Sequence, residues 1–177
     1  MNSLLFSMLA GVVLASAQAG PSDEMFDELR NAPSSVIAES LEEDITTSFR
    51  ESGSPTADLL LERALLAEAH ADFDLAREFL DRAIAVNPEF SEAWYQRSLM
   101  FLSEEAIDQA LFDLNEALSH EPRHFRAWLT LGRVFEMLGQ NKEALEAYRE
   151  VLAISPRNES ALSQVRRLAP LVDGRAI

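Results

Sequence analysis

Between residues 57 and 158 apolar positions recur at helical spacing in paired runs, each pair split by a short polar turn. The clearest pair is Trp128–Leu138 and Ala144–Ile154, divided by Gly139, Gln140 and Asn141. Three dipeptides, Asn87-Pro88, Glu121-Pro122 and Ser155-Pro156, stand 34 residues apart at each step. A proline has no N–H to donate and its ring collides with the preceding turn, so each one closes a second helix. Three blocks result: 57–90, 91–124 and 125–158. Equivalent positions carry equivalent residues: Trp128, Trp94 and Leu60; Phe135, Phe101 and Ala67; Ala144, Ala110 and Ala76; Tyr148, Leu114 and Leu80. Self-similarity at this period predicts stacked helical hairpins.

The flanks extend the pattern. Residues 159–169 place Ala161, Leu162, Val165 and Leu168 on one stripe, as expected of a helix capping the last repeat, and Pro170 is expected to end it ahead of a tail over 170–177. An acidic leader, 20–56, holds two further helices. Ser22 caps the first, ahead of Met25, Phe26 and Leu29. Ser34 or Ser35 opens the second, with Val36/Ile37, Leu41, Ile45 and Phe49 along one stripe. Two readings of this pair stand: a cap over the first block, or a second helix folded back to occupy or gate a groove.

The recurring residues, a bulky side chain, Leu131-Gly132, Phe135, Gly139, Ala144, Tyr148 and Pro156, resemble the tetratricopeptide repeat (TPR) family. Ala64 and Ser98 depart from it at the first-helix glycine, and Ala71 and Glu105 at the turn glycine. The whole layout, ending Asp173-Gly174-Arg175-Ala176-Ile177, resembles small secreted TPR proteins of Gram-negative bacteria, which usually carry Glu where Ala176 stands. The resemblance implies an all-α solenoid of three helix-turn-helix repeats with helical caps at both ends. It also implies a binding groove on the inner wall of the first helices, lined here by Leu61, Leu65, Tyr95, Leu99, Leu102, Arg126, Leu129, Arg133 and Met137. TPR domains that clamp a peptide carboxyl terminus place Lys and Asn where Leu61 and Leu65 stand, so the expected partner is an apolar peptide or helix of another protein.

Residues 2–19 carry no charge. Leu4–Ala15 has the length of a secretory apolar region, and Ala17-Gln18-Ala19 follows as a small-residue cleavage pattern, with Ala15-Ser16-Ala17 one step earlier. The reading is a signal peptide over 1–19 and a periplasmic or secreted mature chain. A retained tether that organises the envelope is the alternative, although the run falls short of the roughly 20 apolar residues that span a bilayer.

Composition narrows the chemistry. Thirty acidic against fifteen basic residues give a net charge of −15, which excludes a basic face for nucleic acid and disfavours an anionic membrane surface. Residues 20–90 hold 17 acids and 5 bases, a negative field suited to a partner with a basic surface. Absence of cysteine removes thiolate chemistry and disulfides. His120 and His124 flank Pro122, so their rings need not share a face and no metal site is expected. No catalytic or cofactor motif occurs. The chain reads as a non-catalytic, cofactor-free interaction module.

Overall fold

Six of the nine helices among the described residues start where a side chain satisfies an N–H that the first turn leaves free. The computed structural model describes residues 20–174, so the signal-peptide reading of 1–19 and the end of the tail fall outside it. Among the described residues there are nine helices and no strand. Two form the leader, α1 (Asp23–Arg30) and α2 (Ser35–Ser48), capped by Ser22 and Ser34. Three hairpins follow: α3 (Pro55–Ala69) with α4 (Phe73–Val86), α5 (Ser91–Ser103) with α6 (Ile107–His120), and α7 (Phe125–Met137) with α8 (Asn141–Ile154). The last helix, α9 (Glu159–Val172), opens at Asn158, whose side chain accepts the Ala161 N–H at 2.9 Å.

The hairpins share their hydrogen bonds as well as their apolar pattern. The turn N–H of Asp72, Ala106 and Gln140 donates to the carbonyl of Ala67, Phe101 and Phe135, at 2.9, 2.8 and 2.8 Å. The indole N–H groups of Trp94 and Trp128 donate to the carbonyls of Pro88 and Pro122, which pins each first helix to the turn before it. Each turn also requires a left-handed residue. Gly139 supplies it without strain at φ 73°, whereas Ala71 and Glu105 adopt φ 59° with a Cβ. The left-handed region costs a non-glycine residue about 1–2 kcal/mol. Ala71→Gly and Glu105→Gly should therefore each raise the melting temperature by about 2–4 °C, even after the added flexibility of the unfolded chain. Scanning calorimetry checks this; no rise in either variant would mean that the turn holds no strain.

Successive hairpins stack through apolar cores. Leu80, Ala83 and Ile84 of α4 meet Ala93 and Met100 of α5, and Leu114, Ala117 and Leu118 of α6 meet Ala127, Leu131 and Val134 of α7. At the far end Leu168 of α9 joins Leu145 and Tyr148. α9 does not stop at Pro170. It runs through it to Val172, and the Asp173 N–H beyond it still donates to the Ala169 carbonyl at 2.9 Å.

The leader is not laid over the outside of the first hairpin. Phe26, Leu29, Ile45 and Phe49 bury themselves with Phe125, Val151, Ile154 and Ala161, so the leader packs on α7, α8 and the start of α9. It runs backwards along the edge where the inter-repeat turns lie. Ser52 offers its carbonyl to Asn87 Nδ2 at 3.3 Å, Phe49 stacks on His124, and Glu42 accepts from Ser155 Oγ at 2.6 Å and Asn158 Nδ2 at 2.9 Å. Each of the three turns thus holds one segment of the strap.

Candidate functional site

The first helices α3, α5 and α7 carry equivalent residues in rows spaced by the 34-residue period: Leu61, Tyr95 and Leu129; Leu65, Leu99 and Arg133. The structure divides these rows into a closed lower part and an open upper part. In the lower part Glu92 is fully buried and accepts from three donors: Gln96 Nε2 at 2.6 Å, His124 Nε2 at 2.9 Å and Arg126 at 3.5 Å. His124 Nδ1 accepts the Ala127 N–H at 3.2 Å and so caps α7, which leaves the proton on Nε2, pointing at Glu92. One neutral imidazole thereby caps a helix and satisfies a buried carboxylate.

Aromatic rings seal this node. Phe49 of the leader stacks on His124 at a centroid distance of 4.3 Å and 7°. Tyr95 lies 4.8 Å from the same imidazole, and the Arg126 guanidinium sits 4.7 Å above the Tyr95 ring. Arg123 covers Phe26 at 4.1 Å and pairs with Asp23 at 2.6 Å. Tyr95 is therefore a buried member of the wall and not an open platform, and Leu61 is buried in the first core. Leu129 and Arg126 are half-buried, Leu129 among the side chains that also hold the leader.

What stays accessible is the upper wall. Leu65, Leu99 and Leu102 are half-buried, and Arg133 and Met137 are exposed. Beside them Glu136 accepts from Tyr148 Oη at 2.6 Å and from Arg167 of α9. Burial pushes the Glu136 carboxyl upward, but these two donors together hold it below the ordinary carboxylate range. Burial, with Glu136 as acceptor, pushes the Tyr148 phenol well above its ordinary range. On α5, Arg97 grips Asp113 through two hydrogen bonds of 2.8 Å; burial still keeps the Asp113 carboxyl above its ordinary value.

No group of three or more metal-ligating side chains occurs among the described residues. His124 is committed to Glu92, while His120 lies near the surface beside Glu116 at 3.8 Å. Asp72 caps α4 through the Leu75 N–H. The repeat period puts Glu92 on the wall, but neither its burial against His124 nor the stacking of Phe49 on that ring was legible from sequence. The only available sign was an acid at an apolar helix start and an aromatic at the end of an apolar stripe, and neither names its contact.

Stacking of three equivalent hairpins with an inner wall of first helices defines a helical-repeat protein. Tetratricopeptide repeat models match residues 61–118 and 101–168. A TPR repeat-containing protein of Rhizobium etli is 30% identical over 152 residues, which cover 86% of this chain and 74% of that protein. The small glutamine-rich tetratricopeptide repeat-containing protein 2 of Saccharomyces cerevisiae is 33% identical over 121 residues, 68% of this chain and 35% of its own length. Among solved structures, the Arabidopsis OM64 TPR domain superposes with a TM-score of 0.61 at 25% identity, covering 66% of this chain and 97% of that one. The first TPR of Spaghetti, bound to the HSP90 peptide SRMEEVD, gives 0.62 at 20% identity and shows the same fold, covering 68% of this chain and 96% of that one. The chain belongs to the tetratricopeptide repeat family.

Proposed function

We propose that this chain is a non-catalytic interaction module that holds an apolar peptide or helix of a partner protein on the upper wall. The observation that supports it is the surviving row of Leu65, Leu99 and Leu102 with Arg133 and Met137 at its end, left open where the leader fills the rest. An apolar row with one cationic end suits an amphipathic segment anchored at i, i+3 and i+4 and carrying a carboxylate toward Arg133. Peptide binding by the Spaghetti TPR is consistent with this mode, although Leu61 and Leu65 offer no charge to a terminal carboxylate. The compartment we propose is the periplasm, entered through cleavage of residues 1–19, in keeping with small secreted TPR proteins of Gram-negative bacteria. After cleavage the chain is expected to have no membrane attachment.

The test is affinity capture from the cell envelope with the wild type beside Leu99→Glu and Arg133→Glu. Both positions are accessible enough to change without unfolding the chain, so circular dichroism should match while a specific partner is lost from both. Equal capture by all three proteins would exclude the upper wall. Mass analysis of the mature amino terminus separates the exported form, starting near Gly20 or Gln18, from the tethered alternative, which keeps Met1.

A further inference from the structure

The outer face of the first hairpin departs from the rest of the molecule. Leu59 is 50% and Leu66 is 55% exposed. Their equivalents one repeat on, Ala93 and Met100, are 0% and 6% exposed, and two repeats on, Ala127 and Val134 are 0% and 1%. In those repeats the face is covered by the second helix of the hairpin before it: α4 lies on α5, and α6 on α7. Nothing among the described residues plays that part for α3, since the leader went to the other end. Terminal repeats ordinarily turn a polar face outward. This one presents Leu66, Leu75 and the half-buried Phe79 in a depression walled by Arg63, His70 and Asp72.

We infer that this face is a second docking site, separate from the inner wall, for an amphipathic helix of a foreign protein that takes the place of a preceding repeat's second helix. The molecule itself displays the chemistry of such a helix. On α5, Arg97 receives Asp81 of the preceding α4 at 2.7 Å as well as its own Asp113, and Glu104 receives Arg77 of α4 at 2.5 Å. Arg63 is the counterpart of Arg97, but Phe79 stands where Asp113 would, and Arg63 meets no carboxylate within ion-pair distance among the described residues. The incoming helix must therefore bring one carboxylate to Arg63 and an apolar stripe to Leu66, Leu75 and Phe79. Around them Glu62, Glu68, Asp72 and Asp74 favour a cationic remainder. A second copy of this chain cannot serve in the same register, because its own helices of this type, α4, α6 and α8, are already covered by α5, α7 and α9.

The helix that performs this task one repeat later supplies the probe. A labelled synthetic peptide of residues 75–88, stapled between positions 78 and 82 on the side turned away from α5, is titrated into the full chain by fluorescence anisotropy. Saturable binding is expected. It should weaken by at least about tenfold in Leu66→Glu and in Arg63→Glu, each a change at an exposed side chain that leaves the circular dichroism as it was. A peptide carrying Asp81→Arg should recover binding to Arg63→Glu to within about threefold, which a merely structural role for Arg63 would not produce. No saturable binding, equal binding by Leu66→Glu, or no recovery with the swapped peptide overturns the proposal. Refusal of the peptide by a chain retaining residues 4–19, beside acceptance by a processed one, assigns the face to that segment and overturns the foreign helix. A concentration-dependent dimer that Leu66→Glu dissociates assigns it to a second copy, with the same consequence.

Discussion

The variant His124→Leu should unfold at markedly lower urea, with a loss of about 1.5–3 kcal/mol, the cost of leaving a buried carboxylate short of a hydrogen-bond donor. Glu92 is shielded from water on all sides, and His124 is the donor that also caps α7. Gln96 stays in reach but already donates to the other carboxylate oxygen, and Arg126 lies at 3.5 Å, a poor substitute. The cap is lost in the same step, adding about 1 kcal/mol. A second substitution separates charge from packing. In Glu92→Met with His124→Leu no buried charge remains, and replacing both members of a buried hydrogen bond by apolar groups can be nearly neutral, so most of the loss should return. A single-variant loss below about 1 kcal/mol would show that Arg126 carries the carboxylate instead. Hydrogen exchange adds a spatial readout: Phe49 loses its stacking partner, so amides of α2 should open before those of the repeats.

A comparably large effect is expected at Gly132 and Tyr148. A Cβ built on Gly132 would stand 2.6 Å from the Tyr148 ring. That ring is fully buried, with its hydroxyl held by Glu136, so it has nowhere to swing. Gly132→Ala should cost about 1–3 kcal/mol by overpacking, partly offset by up to about 1 kcal/mol of helix propensity. Tyr148→Ala should cost about 3–5 kcal/mol through the cavity it leaves. The other two repeats indicate the remedy. Ser98 faces Leu114 and Ala64 faces Leu80 at the same positions, so a smaller partner accompanies each larger first-helix residue. Gly132→Ala with Tyr148→Leu should therefore be more stable than the sum of the two single changes. Strict additivity in a double-mutant cycle would contradict the argument.

The hairpins were readable because two signals agreed, apolar residues at helical spacing and prolines at a fixed step, and capping side chains at Ser22, Ser34 and Asp72 marked the starts of two leader helices and of α4. Ala71 and Glu105 stood where the repeat wants glycine, and both adopt the left-handed backbone the turn needs. The leader's destination was not readable. An apolar stripe of Leu41, Ile45 and Phe49 states that one face is buried, but it fits the first hairpin and the third equally well. Tyr95 was misplaced for the same reason, since its burial depends on Phe49 and His124, neither of them near it in sequence. Pro170 misled in the opposite direction: it gives up its own N–H, but the Asp173 N–H still reaches the Ala169 carbonyl and the helix continues past it.

An array of hairpins joined only to their neighbours frays from either end, each unit opening nearly on its own. Here the bonds from Asp23 to Arg123, Glu42 to Asn158 and Ala32 to Arg157 tie together residues at least 100 positions apart. Such ties close late and slow the search for the native state. Once closed, they hold the leader and the last hairpin as one body, so that end of the array opens together with the leader instead of fraying alone.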